Sequence, residues 1–227
     1  MKTKKALVLA GSRGIGKAIA NSLRNLPLFD VDALSSKDLD TSDLKKCIEI
    51  CDYYDGVDVL VLNTGGPPAK PFSEITVKDW NKYHNQLFLG FALILQKIKI
   101  NDGGFIFLMS SYNIKEPDAN LILSNTYRIA SASLLKSLSP KFASRGISCI
   151  NIAPGPMDTD RFNELSADPI AAGKGFPMKR VGRPQEIGDF VSSVVKHDIR
   201  YLSGCLLYTS DAADDLLCVD LGGRRII

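Results

Sequence analysis

The amino-acid sequence predicts one α/β domain built on a doubly wound parallel sheet. Short apolar segments alternate with longer segments whose apolar residues recur at helical spacing, and a glycine-rich turn follows the first apolar segment. Such an alternation of strands and helices is typical of parallel sheets that carry helices on both faces. The chain has 227 residues, of which 45% are hydrophobic, so it can bury one large core.

Five segments are predicted as strands. They are short and almost continuously apolar, as expected for parallel strands that are buried on both faces. They span Ala6–Ala10, Val31–Leu34, Val57–Asn63, Phe105–Ser110 and Ile147–Ile152.

Helices are predicted between these strands and after the last one. They span Ile15–Leu26, Ser42–Tyr53, Val77–Ile98, Ser124–Ser144 and residues 184–196. Two of them begin with recognisable signals: Thr76 and Asp79 form a capping pair, and Pro184 suits the first turn of a helix.

Composition excludes several classes of function. The net charge of +3, with no basic run beyond Lys4–Lys5, argues against binding of nucleic acid. The longest apolar run, Leu87–Leu95, is about half of what a membrane span needs. Five scattered cysteines without a C-x-x-C pair, and only two histidines, indicate reduced thiols and no metal site. We therefore expect a cytoplasmic protein with no nucleic-acid or membrane partner.

The C-terminal segment looks foreign to the rest of the chain. Codons that would encode Cys205–Asp214 and Cys218–Ile227 resemble the two ends of a transposase sequencing adapter. Segments of that kind are excluded from fold reasoning. We therefore expect a domain over residues 1–204 and a non-native tail over 205–227, and we expect the natural last strand of the sheet to be missing.

The glycine-rich turn predicts a site for the pyrophosphate of a dinucleotide. Gly11, Gly14 and Gly16 follow the first strand and open the first helix. Glycines there permit a tight turn and a close approach of the ligand, and the helix N-terminus offers N–H groups to phosphates. A glycine-rich turn alone is weak evidence, but the flanking strand and helix both match.

Two further loops support this interpretation. Asn63-Thr64-Gly65-Gly66 follows the third strand, and the segment Ile152–Thr159 follows the fifth. The carboxyl ends of parallel strands lie at one edge of a sheet, where open α/β folds bind ligands.

On these residues the chain resembles the short-chain dehydrogenase/reductase family, and within it the 3-oxoacyl-[acyl-carrier-protein] reductase-like branch, over about Lys4–Gly204. Ser110-Ser111, Ser124-Asn125, Pro154-Gly155 and Thr159-Asp160-Arg161 belong to the same pattern. The resemblance implies a Rossmann domain, a nicotinamide cofactor, a small-molecule carbonyl or alcohol substrate, and a homo-oligomer, either a dimer or a tetramer. One departure is the order Ala10-Gly11, which is reversed relative to the family.

The second strand favours NADP over NAD. No carboxylate follows that strand before Asp38, whereas Arg13 and Lys37 could reach a 2′-phosphate. Asp40 resembles the family's adenine-contacting aspartate. The expected cofactor-binding residues are Gly11, Ser12, Arg13, Gly14, Ile15, Gly16, Ser35, Ser36, Lys37, Asp40, Asn63, Thr64, Gly65, Arg128, Pro154, Gly155, Met157 and Thr159.

The catalytic pattern of the family is altered in this chain. The family uses a Ser that polarises the carbonyl and a Tyr-x-x-x-Lys pair that supplies the proton and holds the ribose. Alignment from Pro154-Gly155 places Ser111 at the Ser, Ser124 at the Tyr and Arg128 at the Lys.

Two proton donors remain possible at this stage: Tyr127, which lies near the same helix face but is followed four residues later by Ser131, or a water held by Ser124. The sequence leads to the hypothesis of an NADP-dependent oxidoreductase acting on a 3-oxoacyl compound or a similar ketone. The alternative hypothesis is a catalytically weak NADP(H)-binding protein with a regulatory or assembly role. The segment of about Asp160–Arg180 is expected to form the lid that selects the substrate.

Overall fold

One mixed sheet forms the centre of the molecule, with its strands in the order β2-β1-β3-β4-β5-β6-β7. The computed structural model describes residues 3–166, 168–176, 178–208 and the backbone of 219–220. Strands β1 to β6 pair in parallel, and β7 pairs antiparallel with β6. The strands span Lys4–Val8 (β1), Phe29–Ala33 (β2), Val57–Leu62 (β3), Ile100–Met109 (β4), Ser148–Ala153 (β5), Leu206–Tyr208 (β6) and Val219–Asp220 (β7).

Helices fill the connections between the strands, as the sequence predicts. They span Gly14–Arg24 (α1), Leu44–Glu49 (α2), Val77–His84 (α3), Gly90–Lys97 (α4), Ile122–Ala143 (α5), Asp160–Leu165 (α6), Pro169–Gly175 (α7) and Pro184–Lys196 (α8). The capping box of Thr76 with Asp79 is present at the start of α3, and Pro184 stands in the first turn of α8. Among the described residues, no helix is both long enough and apolar enough to cross a membrane.

The core lies on both faces of the sheet, which confirms the doubly wound α/β class. Leu7 and Val8 are neighbours in β1, but Leu7 packs with α2, α4 and α5 while Val8 packs with α1 and α8. Leu60 and Val61 of β3 divide in the same way. Successive side chains of a strand point to opposite faces, so a strand covered on both faces is apolar at every position.

The predicted helix over Val77–Ile98 is interrupted by a π-helical turn at Asn85–Leu89. A Cβ atom at Gly90 would lie 2.2 Å from the carbonyl oxygen of Thr41, so this helix passes directly over the loop after β2. π-Helical turns alter the hydrogen bonding of the helix backbone and are often found at functional sites. Here Ser131 Oγ donates to the Leu87 carbonyl at 2.5 Å.

The last place in the parallel sheet is taken by β6, whose residues belong to the predicted foreign tail. Cys205, just before β6, and Tyr208, its last residue, are only 4% and 7% exposed. A short parallel ladder requires only an extended segment of suitable hydrophobicity, so these residues fill the position that the sequence analysis expected to be empty. Residues 209–218 and 221–227 of the predicted tail lie outside the described part of the chain.

Two truncations separate the contribution of β6 from that of the rest of the tail. Removal of 205–227 should lower the free energy of unfolding by about 3 kcal/mol, because β5 loses a partner and two buried side chains are lost. Removal of 209–227 should change it by less than about 0.5 kcal/mol, because within the described residues it takes away only the two-residue strand β7. Urea unfolding of both variants measures the difference, and equal destabilisation by the two truncations would contradict this assignment.

Candidate functional site

A cleft of about 540 Å³ opens at the carboxyl ends of β1, β3, β4 and β5. The chain runs outward from β1 to β2 on one side and then crosses to β3 on the other, so the cleft lies at the point where the strand order reverses, the usual ligand site of open α/β sheets. The predicted site residues that line it are Arg13, Gly14, Ile15, Asn63, Thr64, Gly65, Ser111, Ser124, Arg128, Pro154, Gly155, Met157 and Thr159.

The backbone of the glycine-rich turn accounts for the glycine at position 11 but makes the alanine at position 10 costly. Ala10 has a φ of 47°, a left-handed conformation that is costly for a residue with a Cβ atom. Gly11 packs against β2, where an added Cβ would lie 2.8 Å from the Cβ of Ala33. An added Cβ at Gly16 would lie 2.2 Å from the carbonyl oxygen of Ala10, so α1 begins directly against the turn.

The start of α1 fits the pyrophosphate of a dinucleotide. Its N-cap residue, Arg13, makes no capping bond with its side chain, and the first turn of the helix contains no acidic residue. The N–H groups at a helix start that lack a side-chain cap are available to an anion, which the helix dipole also favours. Gly11, Ser12 and Gly16 belong to this turn but do not line the cleft themselves.

The loop after β3 is fixed by contacts to its neighbours. Asn63 Nδ2 donates to the carbonyl of Ala10 at 3.4 Å, and Gln86 Nε2 donates to the carbonyl of Gly65 at 2.9 Å. The hydroxyl oxygens of Thr41 and Thr64 lie 3.1 Å apart. The loop is therefore joined both to the glycine-rich turn and to the π-helical turn of the neighbouring helix.

The loop after β2 is arranged around Asp38, the first carboxylate after that strand, to which the sequence analysis gave no role. Asp38 accepts hydrogen bonds from the backbone N–H and the hydroxyl of Ser35, at 2.8 and 2.7 Å. These bonds from Ser35 lower the pKa of Asp38. The spacing Ser35-x-x-Asp38 is that of a capping pair, and this signal could have been read in the sequence.

The predicted adenosine contacts lie on this loop but not in the cleft. Ser35, Ser36, Lys37 and Asp40 are absent from the lining of the cleft. Lys37 and Asp40 are exposed, and Asp40 accepts a bond from the backbone N–H of Ser42 at 2.9 Å. The structure thus places these residues together on one surface loop beyond the cleft.

Arg128 lies at the floor of the cleft, where it is 9% exposed. Its Nε donates to Ser124 Oγ at 3.1 Å, one turn earlier on α5. Burial, together with the nearby charge of Arg161, lowers the pKa of Arg128 to about 10. Its remaining bonds go to backbone carbonyls at the ends of β3 and β4, those of Met109 (2.9 Å), Ser110 (3.3 Å) and Thr64 (3.3 Å).

Ser111 and Ser124 both present their side chains at the cleft. Ser111 Oγ accepts a bond from the backbone N–H of Asn113 at 3.3 Å, which leaves its own proton free to donate. The same holds for Ser124, whose oxygen accepts from Arg128. The two hydroxyls and the guanidinium group that the sequence analysis placed at the catalytic positions are therefore brought together.

Tyr127 is not brought into the cleft. Its hydroxyl donates to the carbonyl of Trp80 at 3.2 Å, and its ring packs edge-on against Trp80 and His84, with centroids 5.8 and 5.5 Å away. Burial in this cluster raises the pKa of Tyr127. The hypothesis of Tyr127 as proton donor is corrected on this ground, because Tyr127 points about 60° around the helix from Ser124 and about 100° from Arg128, toward Trp80 and away from the cleft.

Two residues to which the sequence analysis gave no role also line the cleft. Asn113 is 2% exposed, and among the described residues no hydrogen-bond partner is found for its Oδ1. Arg161, at the start of α6, donates to the carbonyl of Pro67. Within the described part of the chain, no three His, Cys, Asp or Glu side chains come together as they would at a metal site.

Comparisons with known proteins agree with this geometry. A family model described as Enoyl-(Acyl carrier protein) reductase matches residues 36–211. The 3-oxoacyl-[acyl-carrier-protein] reductase of Buchnera aphidicola subsp. Baizongia pistaciae is 24% identical over 236 residues, covering 92% of this chain and 96% of that protein.

Solved structures share the fold. A short-chain dehydrogenase from Burkholderia cenocepacia J2315, in complex with NADP, is 24% identical with a TM-score of 0.81 and covers 91% of this chain and 96% of its own. A 3-oxoacyl-[acyl-carrier protein] reductase from Brucella melitensis, in complex with NAD, is 19% identical with a TM-score of 0.81 and covers 93% and 97%. Chains of this fold thus occur with either cofactor.

The left-handed conformation of Ala10 leads to a stability prediction. Ala10→Gly should raise the free energy of unfolding by about 1 kcal/mol, because glycine adopts a positive φ without steric cost. Ala6→Gly, in the regular part of the same strand, is the matched control and should lower it by about 1 kcal/mol. Urea unfolding of both variants tests the conformation of the turn, and a loss of stability in Ala10→Gly would contradict it.

Proposed function

The chain belongs to the short-chain dehydrogenase/reductase family of oxidoreductases, and we propose that it moves a hydride between NADP and the carbonyl or secondary alcohol of a small molecule. We propose a 3-oxoacyl compound or a similar ketone as that molecule. The observation that carries the proposal is the meeting of Ser111 with the Ser124–Arg128 pair in the cleft that also contains the start of α1. Ser111 can orient a carbonyl, the Ser124–Arg128 pair can supply a proton, and the start of α1 can hold a phosphate.

The cleft and the loop after β2 offer a place to each part of a dinucleotide. A nicotinamide cofactor, when bound, supplies or accepts the hydride. The start of α1 would hold its pyrophosphate, the Asn63–Gly65 loop, to which Arg128 is bonded, would hold the ribose next to the nicotinamide, and Arg13 and Lys37 would hold a 2′-phosphate. Asp40 would contact the adenine.

Ser111 orients the carbonyl in this proposal. Its hydroxyl proton is free because its oxygen accepts from the backbone, so it can donate to the carbonyl oxygen, where negative charge develops during hydride addition. A donor aimed at such an oxygen lowers the energy of the transition state.

Ser124 replaces the tyrosine of the family as the source of the proton, directly or through a water. A hydroxyl is a weaker acid than the phenol of tyrosine, whose unperturbed pKa is about 10. The hydrogen bond from the Arg128 guanidinium favours negative charge on the serine oxygen and so favours release of the proton. The pair thereby performs, with different residues, the function of the family's tyrosine and lysine.

A second candidate function rests on the weakness of that acid. A protein that binds NADP(H) and turns over slowly, with a regulatory or assembly role, would also place Ser124 where the family has tyrosine. Ser111 argues for the enzyme, because a protein that only binds the cofactor has no need of a donor to a carbonyl.

We further propose a homo-oligomer in the cytoplasm. Helices α3 and α5 carry exposed apolar residues, Val77 at 75% and Ile129 at 49%, and these faces are the ones through which a second copy would pack.

Cofactor choice can be measured by titration. NADPH should bind about 10- to 100-fold more tightly than NADH, because one charge-assisted phosphate contact contributes roughly 1.5–3 kcal/mol. Lys37→Ala should reduce this preference, whereas Lys45→Ala, at an exposed lysine of α2 paired with Glu49, is the control and should not. Fluorescence titration of both cofactors gives the ratio, and equal dissociation constants or tighter NADH would contradict the choice of NADP.

Substitutions on α5 test the proton donor. Ser124→Ala should lower kcat at least about 100-fold with NADPH affinity retained, since general acid catalysis contributes roughly 100- to 10,000-fold. Ser124→Thr retains the hydroxyl and should recover much of the loss. Tyr127→Phe should be mild, because the hydrogen bond that the Tyr127 hydroxyl makes among the described residues goes to the Trp80 carbonyl, outside the cleft.

The assay follows NADPH absorbance with a panel of ketones and 3-oxoacyl thioesters. A severe loss in Tyr127→Phe with normal activity in Ser124→Ala would reverse the assignment of the two residues. If the unaltered protein binds NADPH but reduces no compound of the panel, the second candidate function is the one supported.

A further inference from the structure

Two arginines meet at one wall of the cleft. A Cβ atom added at Gly66 would lie 3.7 Å from Nε and 3.8 Å from Nη2 of Arg161, and 3.9 Å from Nη2 of Arg128. The three residues all line the cleft. The two guanidinium groups come from different elements, α5 and α6, and converge on the same backbone position.

One N–H group of the Arg128 guanidinium has no hydrogen-bond partner among the described residues. Arginine has five N–H groups, and the four bonds described above, to Ser124 and to three backbone carbonyls, use four of them. The fifth belongs to Nη2, the atom that faces Gly66. Arg161 is bound less completely, since its bonds go to the carbonyl of Pro67 and to Glu164.

The charge at this wall is not balanced within the described residues. Arg128 makes no ion pair there, and the one of Arg161 is a 3.4 Å contact with Glu164, whose side chain is 58% exposed. The acidic residues of the cleft, Asp118, Asp160 and Glu164, are all exposed. Exposed charges are screened by water, whereas a buried guanidinium acts with far less screening, so the floor of the cleft attracts an anion.

We propose that Arg128 and Arg161 form a carboxylate subsite, and that the preferred substrates are oxo acids, which carry a carbonyl and a free carboxylate in one small molecule. The inference rests on the proposed function and specifies its substrate class. Arginine is suited to the role because its planar group can bind a carboxylate with two parallel hydrogen bonds; Arg161 has the N–H groups for this, and Arg128 adds one hydrogen bond and its buried charge. Arg161 stands at the start of the segment predicted as the lid, where substrate selection is expected.

The location favours a substrate carboxylate over a cofactor phosphate. The start of α1 offers its uncapped N–H groups at the end of β1, while the two arginines lie at the ends of β3 and β4, and Arg128 bonds directly to Ser124. A carboxylate bound there would be held next to the groups that act on the carbonyl. The reaction adds a hydride, supplied by the reduced nicotinamide cofactor, to the carbonyl carbon and a proton to its oxygen, which gives a hydroxy acid and the oxidised cofactor.

Matched pairs of substrates test the subsite. We would measure kcat/KM with NADPH for 2-, 3- and 4-oxopentanoate and for their methyl esters, which keep the carbonyl but lose the charge. At least one acid should exceed its ester by tenfold or more. Arg161→Met should remove this preference by lowering kcat/KM for the acid and leaving that for the ester unchanged. Arg183→Met, at an arginine that is 73% exposed and outside the cleft lining, is the matched control.

The outcomes separate the subsite from the proposed function. Reduction of acids and esters at equal rates would overturn the subsite and leave the oxidoreductase intact. An Arg161→Met variant that weakens NADPH binding and affects acid and ester equally would show that Arg161 serves the cofactor, which also overturns it.

A binding measurement covers the case in which no compound is reduced and the oxidoreductase proposal fails. Calorimetric titration of each oxopentanoate and its ester into the protein saturated with NADP⁺ should then give binding of the acid, at least tenfold weaker in Arg161→Met. Equal binding of acid and ester, or no binding of either, overturns the subsite.

Discussion

The burial of the Arg128 guanidinium is the constraint on which the site depends. Removing a cation from water costs several kcal/mol, and no carboxylate among the described residues offsets this cost. Four hydrogen bonds do so instead, each contributing roughly 1.5–3 kcal/mol when the donor is charged. Three of the acceptors are the backbone carbonyls of Thr64, after β3, and of Met109 and Ser110, at the end of β4. The ends of both strands must therefore stay within hydrogen-bonding distance of Arg128. The shape of the cleft and the position of Ser124 follow from that requirement.

The positions of the strands, though not their order in the sheet, were predictable from sequence because two-sided burial produces a simple pattern. Leu60 and Val61 face opposite cores, so β3 is apolar at every position, and its end at the Asn63 loop predicted the edge where the cleft lies. The start of β4 was not predictable in this way. It begins at Ile100 rather than Phe105, since its first part pairs with β3 across a shift of register near Val57.

Side-chain direction explains what the sequence left open at the site. Alignment with the family's pattern placed Ser124 and Arg128 four residues apart, on one face of a helix, and the structure brings the two together. Tyr127 could not be resolved in the same way, because its direction depends on a partner 47 positions away in sequence, the Trp80 carbonyl. The π-helical turn is a similar case, since it is matched by Ser131 on another helix and leaves no local signature. The catalytic roles themselves remain predictions.

The same buried charge that orders the loops also restricts what the cleft can accept. An arginine whose N–H groups were all used would contribute only structure, and a fully exposed one would attract anions weakly. Arg128 lies between these limits, because one N–H group on the atom that faces Gly66 has no partner among the described residues. Arg161 places a second positive charge at the same wall. The burial of Arg128, together with this second charge, lowers the pKa of Arg128 to about 10. An anion bound there relieves both the repulsion between the cations and the incomplete hydrogen bonding of Arg128, whereas a neutral ketone can accept a hydrogen bond but leaves the repulsion in place. The arrangement that replaces the family's tyrosine and lysine therefore carries its own preference for a charged substrate.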